Sequence, residues 1–245
     1  MNKTELEELT KLEELEKKYF QELKRAIEDK KEFIRERLEF INDSQENWKG
    51  LFKLDNEIQK GAQEIVRAII FRAFLDWKPF SLPISSDTAF ETNDAVINLD
   101  IKTVKNIDND AKQGYLQVRR NQISYPNKEI RGVSWKPHQP TRITIKSKIF
   151  PTFSYFVKFI WAREGDKIII KEIVICSVPN GELSKIYGDD FLINYKTYAY
   201  KDKGKTERES GDTARFNIRK IAEPKLTKGW KRLEYINLGN QTNLK

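Results

Sequence analysis

The sequence has little of the chemistry on which thiol- and histidine-dependent sites rely. Its 245 residues include one cysteine, Cys176, and one histidine, His138. A lone cysteine excludes a disulfide framework and any zinc site built from several thiolates. A lone histidine excludes the nuclease classes that bind their metal through two or more histidines. Ser-His-Asp catalysis is also disfavoured, because no nucleophile-elbow pattern accompanies His138 in its proline-flanked loop.

Two longer patterns are missing as well. No glycine-rich loop ends in Lys-Ser or Lys-Thr, so the phosphate-binding loop of ATP-driven helicases and translocases is absent. No apolar run approaches the length of a membrane span, and the charged amino terminus lacks the apolar core of a signal peptide. We therefore expect a soluble, cytoplasmic protein with no membrane association.

Positive charge is in excess. Lys and Arg number 45 against 37 Asp and Glu, which gives a formal net charge of +8. The excess is concentrated in residues 115–148 and 216–245. Basic surfaces attract phosphate backbones and release their counterions, so the charge favours a nucleic acid as the partner.

The first third of the chain has the apolar spacing of helices. Apolar residues three and four apart predict a long amphipathic helix over residues 6–41, with Thr4 and Glu7 in the pattern of a capping box. This helix either forms a coiled-coil or dimer contact or packs along its own domain. A second, largely buried helix is predicted over residues 54–77, before Pro79 and Pro83.

From Ser85 the apolar pattern changes to period two, which is typical of strands. A short strand over residues 87–92, a turn at Asn93-Asp94 and a longer strand over residues 95–104 form a predicted hairpin. Further strands are expected over residues 142–149, 155–162 and 167–176, the last two joined by a turn at 164–166. The predicted fold class is α/β, a mixed β-sheet flanked by helices with a long N-terminal amphipathic helix.

The hairpin brings acidic and basic side chains together. Asp100 and Lys102 lie on one face of the longer strand because side chains alternate along it. Asp87, thirteen positions before Asp100, lies on the preceding strand. Two carboxylates and the carbonyl of Ile101 between them are oxygen ligands that Mg²⁺ accepts. Lys102 can orient or deprotonate a water that the ion acidifies, which predicts phosphodiester hydrolysis.

Asp87, a turn, and Asp100-Ile101-Lys102 at the end of an apolar strand resemble the motif of the PD-(D/E)XK nucleases, and within them the type II restriction endonucleases. The resemblance extends from the second helix to the strand ending at Cys176. It implies a restriction-endonuclease-like core, and it implies that Glu64, in the helix before the hairpin, is a further acidic residue near the metal.

The sequence departs from the family pattern at the first acid, because Ser86 precedes Asp87 where the family often has proline. Asp94 in the turn is the alternative first ligand. Five residues separate Asp94 from Asp100, which is too little chain to reach a neighbouring strand. Hairpin geometry therefore favours Asp87.

The stretch after the catalytic strand is rich in side chains that contact DNA. Arg, Asn and Gln form bidentate hydrogen bonds with base edges, and Arg and Ser also bind phosphates. His138 is expected to be an ordinary surface residue. The expected DNA-binding residues are Arg119, Arg120, Asn121, Gln122, Ser124, Lys136 and Arg142.

Together these features predict a type II restriction endonuclease that cuts both strands of double-stranded DNA at a short, palindromic sequence, using Mg²⁺. A homodimer is expected, because a palindrome presents two equivalent strands. We divide the chain into an N-terminal helical arm or dimerisation segment, residues 1–50, and a nuclease domain with DNA-recognition elements, residues 51–245. The alternatives are a repair or recombination nuclease that acts on DNA structure, and a non-catalytic DNA-binding protein.

Overall fold

The computed structural model describes residues 1–39, 54–80, 86–108, 115–125, 128–130, 133–165, 167–189, 191–195 and 213–238. The helices are α1 Lys3–Asp29, α2 Lys31–Glu39, α3 Leu54–Ala73 and α4 Ser184–Tyr187. The strands are β1 Lys78–Pro79, β2 Thr88–Glu91, β3 Val96–Lys105, β4 Tyr115–Arg119, β5 Lys128–Ile130, β6 Val133–Trp135, β7 Arg142–Ile145, β8 Lys148–Glu164, β9 Lys167–Val178, β10 Leu192–Tyr195, β11 Thr213–Asn217 and β12 Leu233–Asn237.

The predicted N-terminal helix is two helices in the structure. α1 ends at Asp29 and α2 begins at Lys31, with Lys30 between them at φ −113° and ψ 12°. Residues 40 and 41 lie outside the described residues. The predicted capping box is wrong, since Thr4 lies inside α1 and Asn2 is the N-cap. The Asn2 side-chain oxygen accepts a hydrogen bond from the amide of Glu5 at 2.8 Å, which satisfies one of the first-turn donors.

The main sheet has seven strands in the order β1-β2-β3-β8-β9-β12, with β7 paired to β8. β3 and β8 run parallel, and the other pairs in this sheet are antiparallel. The predicted mixed sheet flanked by helices is therefore confirmed. The remaining described strands form a small sheet, β10-β11-β4, and a hairpin, β5-β6.

Two turns define the long β8 strand. Glu164 pairs with Lys167, and Gly165 has φ +62°, so the β8–β9 hairpin falls where the sequence predicted it. The predicted strand over residues 142–149 is wrong as one element. Lys146 and Ser147 adopt positive φ angles of 46° and 67°, and this tight turn separates β7 from the start of β8.

α1 packs along its own domain. Its apolar residues, including Leu12, Phe20 and Leu23, belong to the same core as the sheet residues. The Tyr155 hydroxyl of β8 donates to the carbonyl of Glu16 at 2.8 Å. The helix therefore covers one face of the sheet. No helix among the described residues is both long and apolar enough to span a membrane.

The opposite face of the sheet is covered by the segment around β4. The buried Lys158 ammonium of β8 donates to the carbonyl of Tyr115 in β4 at 3.2 Å. As a result two polar residues of β3 that face this side, Asn98 and Asp100, are enclosed and only 1% and 3% exposed. Enclosed carboxylates need partners, because burial disfavours an isolated charge.

Candidate active site

Asp87 lies directly before β2, and its carboxylate reaches the neighbouring strand β3. Oδ2 accepts a hydrogen bond from the amide of Ile101 at 2.7 Å. Oδ1 accepts from the Gln63 side-chain amide of α3 at 2.7 Å. The Arg67 guanidinium donates to the backbone carbonyl of Asp87 at 3.1 Å. The side chain of Asp87 is thus held by α3 and β3, and its backbone by α3.

Asp100 lies in β3 and is buried between the sheet and the segment after β4. Its Oδ1 accepts from Gln122 Nε2 at 2.6 Å, and its Oδ2 forms an ion pair with the Lys102 ammonium. Burial raises the pKa of Asp100 to about 6, although the Lys102 ammonium lowers it, and the charge of Asp87 adds to the rise. A bound cation would favour the charged carboxylate.

The backbone of Ile101 lies between the two acids. Its amide donates to Asp87, and its carbonyl accepts from Gln59 Nε2. The Gln59 side-chain oxygen in turn accepts from the hydroxyl of Thr103 at 2.9 Å. A carbonyl oxygen has two lone pairs, so one hydrogen bond leaves it able to bind a cation.

The oxygen atoms at this site fit a hard divalent cation. Apart from its ion pair with Lys102, the buried Oδ2 of Asp100 accepts no hydrogen bond from any described group. Within the described ranges no group of three or more His, Cys, Asp or Glu side chains gathers. The oxygen donors that the described residues offer here are two carboxylates and a carbonyl, and water and a substrate oxygen would have to complete the shell of an ion such as Mg²⁺.

Glu64 is not brought to these acids by any contact that the structure describes. Its side chain is 70% exposed and forms an ion pair with Arg67 at 3.1 Å, one turn along α3. The neighbouring residue, Gln63, is the one that contacts Asp87. Gln59 and Gln63 are four residues apart and hence on one helix face. That spacing is the sequence pattern from which the contacts of α3 with the site could have been predicted.

Asp94, the alternative first ligand, faces α1 instead of β3. Its carboxylate forms an ion pair with Lys18 at 3.1 Å and accepts a hydrogen bond from the Tyr19 hydroxyl. Asp87 contacts the residue next to Asp100, whereas Asp94 has its described partners in the helix. The structure therefore brings Asp87, Asp100 and Lys102 together and leaves Asp94 apart.

The expected DNA-binding residues divide into exposed and buried groups. Gln122 and Ser124 are 3% and 6% exposed, and Ser124 Oγ accepts from the amide of Gly181 at 3.1 Å. In this structure both side chains are buried and hydrogen-bonded within the protein.

The other expected residues are more accessible. Arg119 and Lys136 are exposed, and Asn121 is half-buried. The Arg120 guanidinium lies 5.5 Å from the ring centroid of Trp135. Arg142 is exposed but forms two hydrogen bonds with Glu182, at 2.7 and 2.9 Å. His138 is a surface residue whose backbone amide donates to the carbonyl of Arg120 at 2.7 Å.

The fold is that of the restriction endonucleases. Two solved structures cover 95% of this chain: BglI bound to its DNA recognition sequence, with a TM-score of 0.71, 20% identity and 92% of that chain covered, and tetrameric SfiI bound to cognate DNA, with a TM-score of 0.68, 15% identity and 86% covered. At these identities the likeness shows the fold alone.

The family follows from the sequence itself. The model of the type II restriction enzyme MwoI, N-terminal domain, matches residues 8–164, and the chain belongs to this family of type II restriction enzymes. The match covers both acids of the site, Lys102 and the whole of β8. No curated protein matches the chain. The resemblance to type II restriction endonucleases is thereby confirmed.

Proposed function

We propose that the chain hydrolyses phosphodiester bonds in double-stranded DNA with Mg²⁺, at a short palindromic sequence, using Asp87, Asp100 and Lys102. One observation carries the proposal: two carboxylates flank the Ile101 peptide, and the buried Oδ2 of Asp100 lies beside the Lys102 ammonium. Membership of a type II restriction enzyme family supports the same activity.

The two acids and the lysine have different tasks in this mechanism. Asp87, oriented by Ile101 and Gln63, and Asp100, oriented by Gln122, would hold the cation. When bound, Mg²⁺ supplies charge neutralisation at the scissile phosphate and acidifies a water. The Lys102 side chain is 26% exposed, so its ammonium can orient that water and offset negative charge developing on the phosphate oxygens.

The proposed DNA contacts are two exposed basic residues, Arg119 and Lys136, and two half-buried residues, Arg120 and Asn121. Residues 119–121 directly precede Gln122, which contacts Asp100, so DNA held by them would pass close to the site. A net charge of +8 favours this partner and predicts binding that weakens with salt. The structurally similar BglI was solved bound to its DNA recognition sequence, which supports sequence-specific binding here.

A symmetric homodimer is the proposed assembly. Each chain holds one constellation of Asp87, Asp100 and Lys102 among its described residues, whereas a double-strand cut needs two reactions. Two-fold symmetry would place one site on each strand of a palindrome.

The test is digestion of a sequenced genomic DNA by purified protein with Mg²⁺. We expect discrete fragments whose ends map to one short sequence, no cleavage with EDTA, and no detectable cleavage by Asp100→Asn. Asp108→Asn, an exposed acid beyond the end of β3, is the matched control and should cut normally. Melting curves check that both variants fold.

The two alternative functions, a repair or recombination nuclease and a non-catalytic DNA-binding protein, predict different results with the same purified protein. Cleavage restricted to branched or damaged substrates would favour a repair or recombination nuclease over a restriction enzyme. Binding without any Mg²⁺-dependent cleavage, or cleavage by Asp100→Asn at the wild-type rate, would contradict the proposed active site.

A further inference from the structure

Gln122 uses both ends of its side-chain amide to connect two parts of the molecule. It is the last residue of the short 3-10 turn Arg120–Gln122 that follows β4, and it is 3% exposed. Its Oε1 accepts from the backbone amide of Arg119 at 2.8 Å. Its Nε2 donates to Asp100 Oδ1 at 2.6 Å. An amide offers a donor and an acceptor at once, which a carboxylate or a thioether of similar size does not.

Residues 119–122 form a well-anchored segment, which we call the linking segment. The Arg120 carbonyl accepts from the His138 amide at 2.7 Å, and the Arg120 guanidinium lies over the Trp135 ring. Arg119 itself is exposed at the end of β4. The segment thus presents Arg119 outward, while its last residue reaches inward to β3.

The contact with Gln122 fixes which oxygen of Asp100 is available. Oδ1 accepts the Gln122 amide, and Oδ2 is the atom that lies beside Lys102 and accepts no other described hydrogen bond, so the contact holds the carboxylate in one orientation. Partners of this kind orient a metal ligand without touching the metal. Removing the donor would leave a buried carboxylate with one fewer partner and more than one accessible rotamer.

We propose that Gln122 is a positioning residue that joins the linking segment to the Asp100 carboxylate, so that the placement of Arg119 and Arg120 on DNA and the orientation of a metal ligand depend on each other. The inference rests on the proposed function and adds a role that its active-site residues do not include.

Two substitutions separate the two halves of the contact. Gln122→Met removes donor and acceptor at similar volume, whereas Gln122→Glu keeps an acceptor for the Arg119 amide and replaces the donor to Asp100 by a second carboxylate, which repels it. The measurement is single-turnover cleavage of a duplex carrying the mapped site, over a range of enzyme concentrations. We expect both variants to lower the maximal rate by roughly 10- to 100-fold. The half-saturating enzyme concentration should rise only for Gln122→Met, since only it leaves the Arg119 amide without its acceptor.

Mn²⁺ binding gives a readout that does not depend on cleavage. Titration of the DNA-free protein, followed by the electron paramagnetic resonance signal of the unbound ion, should show weaker binding for Gln122→Met by roughly 10- to 100-fold. Gln139→Met is the control: Gln139 is 4% exposed, and its side-chain oxygen accepts from Ser154 Oγ at 3.2 Å. That variant should bind Mn²⁺ and cut DNA as the wild type does.

The outcomes distinguish this inference from the proposed function. Wild-type cleavage together with unchanged rates and Mn²⁺ affinity in both Gln122 variants would overturn the inference alone. If the wild type binds Mn²⁺ but cuts no DNA, the proposed activity fails, and the Mn²⁺ titration still decides the role of Gln122. Should Gln122→Met not fold, a wild-type maximal rate in folded Gln122→Glu would refute the inference.

Discussion

At the scale of single residues, Asp87 and Asp94 are seven positions apart and have different partners. Asp87→Asn should abolish cleavage, because asparagine still accepts the hydrogen bond from the Ile101 amide but lacks the charge that binds a cation. Asp94→Asn should cut at the wild-type rate, since Asp94 contacts Lys18 and Tyr19 on α1. Single-turnover rates and melting temperatures of both variants are the measurement. Loss of cleavage confined to a folded Asp94→Asn protein would make Asp94 the first ligand.

Gln63 and Glu64 are adjacent residues whose side chains have opposite environments. Gln63→Met removes the amide donor to Asp87 and should lower the cleavage rate by roughly 10- to 100-fold, as loss of a group that orients a metal ligand does. Glu64→Gln should have no effect on the rate, because its side chain is 70% exposed and pairs only with Arg67 among the described residues. A large loss of cleavage in Glu64→Gln with none in Gln63→Met would instead support Glu64 as the acidic residue near the proposed metal.

Among the structural elements, α1 is fastened to the C-terminal part of the chain by a buried ionic cluster. Arg232 donates to Glu16 Oε1 at 2.7 Å and to Glu13 Oε1 at 2.8 Å, and all three side chains are fully buried. Glu13 also accepts from Thr227 and Tyr187. Burial raises the pKa of Glu13, but the hydrogen bonds from Tyr187 and Arg232 outweigh it and hold the pKa below its ordinary value.

Arg232 and its neighbour Lys231 offer a matched pair of substitutions for this cluster. Arg232→Met should destabilise the fold by about 3–5 kcal/mol, because it leaves two buried carboxylates without their cation. Lys231→Met should change stability little, since Lys231 and its partner Glu223 are exposed. Urea unfolding measures both. Equal stability of the two variants would show that the cluster does not hold α1 in place.

The helical regions before residue 80, the β2–β3 hairpin and the β8–β9 hairpin could be predicted because their apolar periods are regular, although α3 ends at Ala73 and not at residue 77 as predicted. Two interruptions could not be predicted, the one at Lys30 between α1 and α2 and the turn at Lys146-Ser147 between β7 and β8. Both consist of polar residues without the glycine or proline that marks a turn. The parallel pairing of β3 with β8 depends on contacts far apart in sequence, which no local pattern specifies. Strand alternation predicts that Asp100 and Lys102 share one face, and hairpin geometry favours Asp87, whereas the contacts of Gln59, Gln63 and Gln122 require knowing which elements pack over that strand.

For the whole molecule, the helices and the main sheet share one core, and the site lies where three separate parts of the chain meet. α3 supplies Gln59 and Gln63, the β2–β3 hairpin supplies the acids, and the linking segment supplies Gln122. The family match ends at residue 164, whereas Arg232 lies directly before β12 and pairs with Glu13 and Glu16 of α1. The C-terminal part therefore stabilises a helix most of which lies within the family match.

The proposed homodimer can be tested by mixing active and inactive chains in one assembly. Supercoiled plasmid with one mapped site should be converted directly to linear DNA by wild type, because both active sites of a dimer act on one bound duplex. Co-expression with Asp100→Asn chains should give mixed dimers with one working site, which release nicked circles. If the protein acts as a monomer, the wild type would instead convert the plasmid through nicked circles, and inactive chains would slow the reaction without changing its products.

Sedimentation gives an independent measurement of the assembly. A dimer of 28.9 kDa chains differs in mass from both a monomer and a tetramer, and a monomer on DNA would contradict the proposed symmetry.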